Sequence, residues 1–170
     1  KTKWDTCFSF CFKVSLNFII RRSLKVHMPS PKIAVIISRF NEFITHRLLQ
    51  GCLNELKRNG FKDAQITITW VPGALELPLA ALKSAGRKDI SGVICLGAIL
   101  RGETYHFELV ANESARGIMD VALKTGKPVI FGVLATETIE QANQRSRLDG
   151  GDNKGRDAAE TVLEMIEVVK

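Results

Sequence analysis

Four cysteines, three histidines, five prolines and a single tyrosine in 170 residues leave several classes of protein without their raw material. Cysteine at this density cannot staple a disulfide scaffold. Five prolines and 13 glycines exclude a collagen-like or low-complexity chain. No apolar run reaches the roughly 20 residues that a membrane span needs. There is no G-x-G-x-x-G, and Gly151-Asp152-Asn153-Lys154-Gly155 lacks the spacing of a P-loop. His27, His46 and His106 show no zinc-ligand spacing, and Cys7-x-x-x-Cys11 has no neighbouring ligands, so no metal site is expected. Cys52 and Cys95 fall within apolar patterns and read as core.

A net charge of +6 first suggests a nucleic-acid partner, yet the charge is unevenly placed. Residues 1–27 hold six basic side chains against Asp5 alone, which leaves 18 basic and 17 acidic over the other 143 residues. The body of the chain offers no electrostatic case for DNA or RNA, and no such partner is expected. What is present is a globular composition, 45% hydrophobic and 25% charged, in a chain the size of one domain.

Upstream of Met28, two apolar stretches flank Lys13, and Arg21-Arg22 follow them. Lys13 and Asn17 break the run and no small-residue cleavage site follows, which argues against a signal peptide or a span. The near absence of acids fits an organelle presequence, although serine is scarce. The preferred expectation is a domain over residues 28–170 that begins at Met28. Residues 1–27 are then an N-terminal extension outside the native fold, with no membrane association and a cytoplasmic location.

From residue 32 the pattern is regular. Lys32-Ile33-Ala34-Val35-Ile36-Ile37-Ser38 is a continuous branched apolar run, as in a strand buried on both faces. Leu48, Leu49, Cys52, Leu53 and Leu56 follow at helical spacing, closed by Asn59-Gly60. A second strand is predicted over 65–70, a helix over 75–85 with Pro78 in its first turn, and a third strand over 92–100. A long helix then ends at Gly126, a fourth strand covers 128–134, and helices are predicted near 138–145 and 157–169. Alternation with connections too long for hairpins predicts an α/β fold, a four-stranded parallel sheet flanked by helices on both faces.

Ligands of such sheets bind beyond the carboxyl ends of the strands. The residues there are Arg39-Phe40-Asn41-Glu42, Val71-Pro72-Gly73-Ala74-Leu75-Glu76, Arg101-Gly102-Glu103-Thr104-Tyr105-His106 and Ala135-Thr136-Glu137. Phe40 either stacks on a flat heterocycle or caps the core, and position alone favours the cap. Glu103 and Thr104 precede a long helix, where they could hold a phosphate or simply cap the helix. His106 is a candidate proton carrier, against the commoner structural role. Arg145 and Arg147, read as late helix residues, either complement the helix dipole or close on a phosphate.

Five blocks carry a family resemblance: Ser38-Arg39-Phe40-Asn41, Val71-Pro72-Gly73-Ala74-Leu75-Glu76-Leu77-Pro78, Gly97 through Glu108, Phe131-Gly132-Val133-Leu134 and Asn153-Lys154-Gly155. In this order and at this spacing the chain resembles the lumazine synthases from about Lys32 to its end. The resemblance implies a flavodoxin-like three-layer sandwich and a transferase of riboflavin biosynthesis without metal or redox cofactor. Such an enzyme condenses 5-amino-6-(ribitylamino)uracil with 3,4-dihydroxy-2-butanone 4-phosphate to 6,7-dimethyl-8-ribityllumazine, phosphate and water.

By the same resemblance His106 moves protons and Phe40 stacks on the pyrimidine. Ala74, Leu75 and Glu76 line the pyrimidine and ribityl chain, and Ala98, Ile99 and Leu100 contact the ring through backbone groups. Glu103 and Thr104 offer N–H groups to the phosphate, Arg145 its guanidinium, and Phe131 comes from an adjacent subunit. The family assembles as pentamers, in some members closed into a 60-subunit shell. A homo-oligomer with sites at subunit interfaces is therefore expected, with a pentamer preferred. Residues 146–152 make the link before Asn153 about one residue longer than is usual, which leaves the choice between Arg145 and Arg147 open. The rival functions are a riboflavin synthase of the lumazine-synthase-like kind and a non-catalytic lumazine-binding shell protein.

Overall fold

The computed structural model describes residues 31–170. The expected extension at residues 1–27 lies outside the described residues. Four strands form one parallel sheet: β1 (Lys32–Ser38), β2 (Ile66–Val71), β3 (Ile90–Leu100) and β4 (Val129–Thr136), in the order β2-β1-β3-β4. The strands without alternation are the interior ones. β1 and β3 are covered on both faces and are nearly continuous in buried residues. β2 lies at an edge, and its alternating Thr67 and Thr69 belong there.

Helices cover both faces, as the alternation predicted. On one face α1 (Glu42–Arg58), the short α4 (Ile139–Gln144) and α5 (Lys154–Val168) pack over Ile33, Val35, Ile37, Ile94 and Leu96. On the other, α2 (Leu77–Ala85) and α3 (His106–Thr125) pack over Ala34, Ile36, Val93 and Cys95. Each large side chain taken fully out of water, such as Leu48, Leu56 or Leu77, stabilises the fold by about 1.5–3 kcal/mol before entropy is counted.

Boundaries depart from expectation where capping chemistry overrides periodicity. α5 begins three residues before the predicted 157, because the side chain of Asn153 accepts from the N–H groups of Gly155 and Arg156. The predicted helix over 75–85 is a 3-10 turn at Ala74–Glu76 followed by α2, with Pro78 in its first turn. α1 and α3 stop where glycines take left-handed geometry, Gly60 at φ 87° and Gly126 at φ 64°. Arg147 is not a helix residue: α4 ends at Gln144, with Arg145 at its C-cap.

Candidate active site

The site grows from the point where the chain leaves β1. After β1 the chain runs out to β2, returns across the sheet to β3 and continues to β4. The carboxyl ends of β1 and β3 therefore form the switch point at which such sheets open a crevice. Arg39 and Phe40 extend the β1–β2 pairing, their N–H groups donating to Val71 O at 2.8 Å and Pro72 O at 3.1 Å. Asn41 then turns the chain with φ 57°, the single left-handed non-glycine among the described residues, and its Nδ2 donates to Ala98 O at 2.8 Å. That bond ties the loop carrying Phe40 to the end of β3. Asn41 was not a candidate in the sequence; its signal there is an asparagine placed where a side-chain amide can offset left-handed strain.

Phe40 is 72% exposed, so it does not cap the core. It borders a crevice of about 340 Å³ together with Ala74, Leu75, Glu76, Ala98, Ile99, Leu100, Thr104 and His106. These residues come from three separate strand ends, and the structure brings them to one wall-and-floor arrangement. Gly73, Gly102, Phe107 and Val110 complete the lining. Apolar surface dominates: Phe40 and Leu75 stand exposed, while Ala74, Ala98 and Ile99 are buried beneath. The polar groups are few and specific. One carboxylate oxygen of Glu76 accepts from the N–H of Gly73 at 2.8 Å, which orients the side chain at the rim. Helix α3 starts at the crevice with no side-chain cap on Tyr105, so Thr104 is not the cap that its sequence allowed. No N-cap side chain therefore covers the positive end of the helix.

Three expected residues lie elsewhere. Glu103 is exposed and does not line the crevice. Phe131 and Arg145 border a second cavity of about 410 Å³ along the open edge of β4, with Lys154 and Asp157. The two cavities share no lining residue. Arg145 donates through Nη1 to Gln141 O at 3.2 Å and has no carboxylate partner among the described residues. Arg147 is committed: its guanidinium grips Asp149 through two bonds of 2.9 and 2.7 Å. The long link closes on itself, with Arg147 N donating to Asp152 O and Asn153 Nδ2 to Arg147 O, both at 3.0 Å. At its base the Lys154 N–H donates to Arg145 O at 3.0 Å, and both residues border the second cavity. Lys154 is also paired with Asp157 at 2.8 Å and Asp152 at 3.2 Å, and the Asp157 bond first of all strengthens its hold on its proton.

Among the described residues no cluster of histidine, cysteine or acids could hold a metal, and no helix is long and apolar enough to cross a membrane. A parallel α/β sheet whose switch point carries an apolar crevice with an exposed aromatic, a carboxylate, a histidine and an uncapped helix start defines the class. It is an α/β protein with a small-molecule crevice at its switch point. Residues 30–170 match the model of the 6,7-dimethyl-8-ribityllumazine synthase family. The chain is also 48% identical over 144 residues to a 6,7-dimethyl-8-ribityllumazine synthase of Protochlamydia amoebophila (strain UWE25), covering 85% of this chain and 83% of the relative. The chain belongs to the 6,7-dimethyl-8-ribityllumazine synthase family.

Proposed function

We propose that this transferase of riboflavin biosynthesis condenses 5-amino-6-(ribitylamino)uracil with 3,4-dihydroxy-2-butanone 4-phosphate in the switch-point crevice. The observation that carries the reading is the meeting of Phe40, Glu76, Thr104 and His106 around one apolar floor. The pyrimidine lies against Phe40, which gains by covering its exposed ring. Its ribityl hydroxyls donate to the free oxygen of Glu76, and its ring edge meets the backbone of Ala98, Ile99 and Leu100. The phosphate sits at the start of α3, against the N–H groups around Glu103 and Thr104.

The chemistry asks mainly for positioning. The pyrimidine amine adds to the ketone and water is lost, phosphate leaves, and ring closure with loss of water gives the lumazine. His106, at the first position of α3 and open to the crevice, hands protons to departing oxygens and takes them from attacking nitrogens. Holding amine and ketone together supplies much of the acceleration.

A second copy of the chain completes the site. Phe131 and Arg145 face their own cavity on the edge of β4, away from their own crevice, and reach an anion bound at the crevice of a neighbour. Arg145, not Arg147, is the phosphate cation, because of these two Arg147 is paired with Asp149 while Arg145 has no carboxylate partner among the described residues. Leu109, Met119 and Leu123 are exposed on α3, and Leu79 and Leu82 on α2; these are apolar surfaces suited to contacts between copies. We take the assembly to be a pentamer in the cytoplasm. The assay is direct: wild-type protein with both substrates forms a fluorescent lumazine and releases phosphate, and no product with both supplied refutes the assignment.

A further inference from the structure

Arg101, the first residue beyond β3, sits beside the crevice with no part in the scheme above. Its N–H donates to Thr136 O at 3.0 Å, fastening the end of β3 to β4. Its guanidinium forms ion pairs through Nη1 with Glu108, in the first turn of α3, and through Nε with Glu137, just past β4. The guanidinium carbon lies 4.1 Å from the centre of the Phe107 ring, and Phe107 itself lines the crevice. These contacts hold the Glu108 carboxyl below the usual carboxylate range, the Arg101 hydrogen bond being the largest cause.

The residues between these anchors are held by nothing else. Gly102, Glu103 and Thr104 make no hydrogen bond of their own among the described residues. The turn that presents backbone N–H groups to an anion is thus a short tether between two fixed points, and Arg101 grips both. Its positive charge is spent on two carboxylates, so it is not itself a ligand for the anion. Removing the guanidinium leaves the backbone bond to Thr136 in place but unties the turn from the first turn of α3 and from Glu137, and leaves Glu108 and Glu137 unneutralised beside the anion.

We propose that Arg101 is a positioning residue for the anion end of the crevice: by gripping Glu108 and Glu137 it fixes residues 102–105, so that Thr104 and His106 meet a bound phosphate in one geometry. The identity of the phosphate ester rests on the lumazine synthase reading; the clamp does not.

The test uses the full assembled chain, with Arg101→Gln, Arg101→Lys and Glu137→Gln. Arg101→Gln is expected to raise KM for the phosphate ketone about tenfold and leave KM for the pyrimidine within about twofold, because only the anion end loses its geometry. Arg101→Lys keeps a charge between the carboxylates and recovers most of the loss. Glu137→Gln moves the same KM by about threefold, and its exposed side chain lets it carry the test if Arg101→Gln fails to assemble. Calorimetric titration with inorganic phosphate reads the same clamp without turnover and should weaken in parallel. Equal rises in both KM values without rescue by lysine, or unchanged phosphate binding, overturn the proposal. A wild-type protein that makes no lumazine, yet loses phosphate binding in Arg101→Gln, would leave the clamp standing and remove the function instead.

Discussion

Phe40 shows how far a single residue can be judged before its surroundings are known. A phenyl ring after a buried strand is usually a lid on the core, and only the fold reveals this one standing in solvent at the mouth of a crevice. His106 is the converse case: its place at the start of a helix beyond β3 was readable, and the structure puts it in the lining of the crevice. Replacing His106 by alanine should lower kcat about ten- to a hundredfold, at or below the 10²–10⁴ range for losing a general acid–base group, because the positioning residues remain. The matching measurement is steady-state lumazine formation; an unchanged kcat removes His106 from proton transfer.

The two core cysteines make a sharper statement about pH. Cys52 and Cys95 are fully buried, and burial pushes each thiol from an ordinary 9.0 up to about 12. The thiolate is the reactive form, so at pH 8 both should resist alkylation in the folded protein and react once it is unfolded, as peptide mapping by mass spectrometry would show. Linkage fixes the sign. The folded state keeps protons that the unfolded state gives up, so this contribution is intact below pH 9.0 and is lost as pH rises towards about 12. Urea midpoints should fall across that window, and fall less in a Cys52→Ala/Cys95→Ala background.

Among the elements, the buried strands were the most legible. β1 and β3 carry branched apolar residues without alternation, and only a strand covered on both faces has use for that pattern. The 3-10 turn at Ala74–Glu76 was not legible, because Leu75 and Glu76 are ordinary helix formers and their turn is set by the Glu76 bond to Gly73. Nor was the start of α5, where a side-chain cap decides and periodicity does not. Glycine at 155 has a cause that only the packed structure displays. A Cβ there would lie 1.9 Å from the carbonyl oxygen of Leu48, since α5 crosses α1 backbone to backbone. Leu48 cannot yield without moving the helix that covers β1. Gly155→Ala should therefore destabilise by about 3 kcal/mol or more, the upper end for overpacking, as read from denaturant midpoints. A loss below about 1 kcal/mol would mean that the two helices separate easily, contrary to their dense contact.

At the scale of the whole molecule the residues expected of the site line two separate cavities. One crevice gathers Phe40, Glu76, Thr104 and His106; another cavity, sharing none of them, gathers Phe131, Arg145 and Lys154. No rearrangement inside one chain is needed if the second set serves a neighbour, and a closed ring in which every copy gives one set and receives the other satisfies both. The residues themselves name the members of both sets but not the chain each one serves, because that depends on where an edge strand faces; for Phe131 only the family resemblance implied a neighbour. The division has a consequence that no single-chain site shares. If the second set serves a neighbour, His106→Ala should spoil the crevice a subunit owns, whereas Arg145→Ala should spoil the site of its neighbour. Co-refolding equal amounts of the two variants should place an intact crevice beside an intact Arg145 at about a quarter of the interfaces, and recover about that fraction of wild-type activity. Each variant refolded alone should stay at its own low rate, and so should mixtures made without dissociating the subunits. Mixed assemblies no more active than the average of their parents would put all the residues of the site back into one chain.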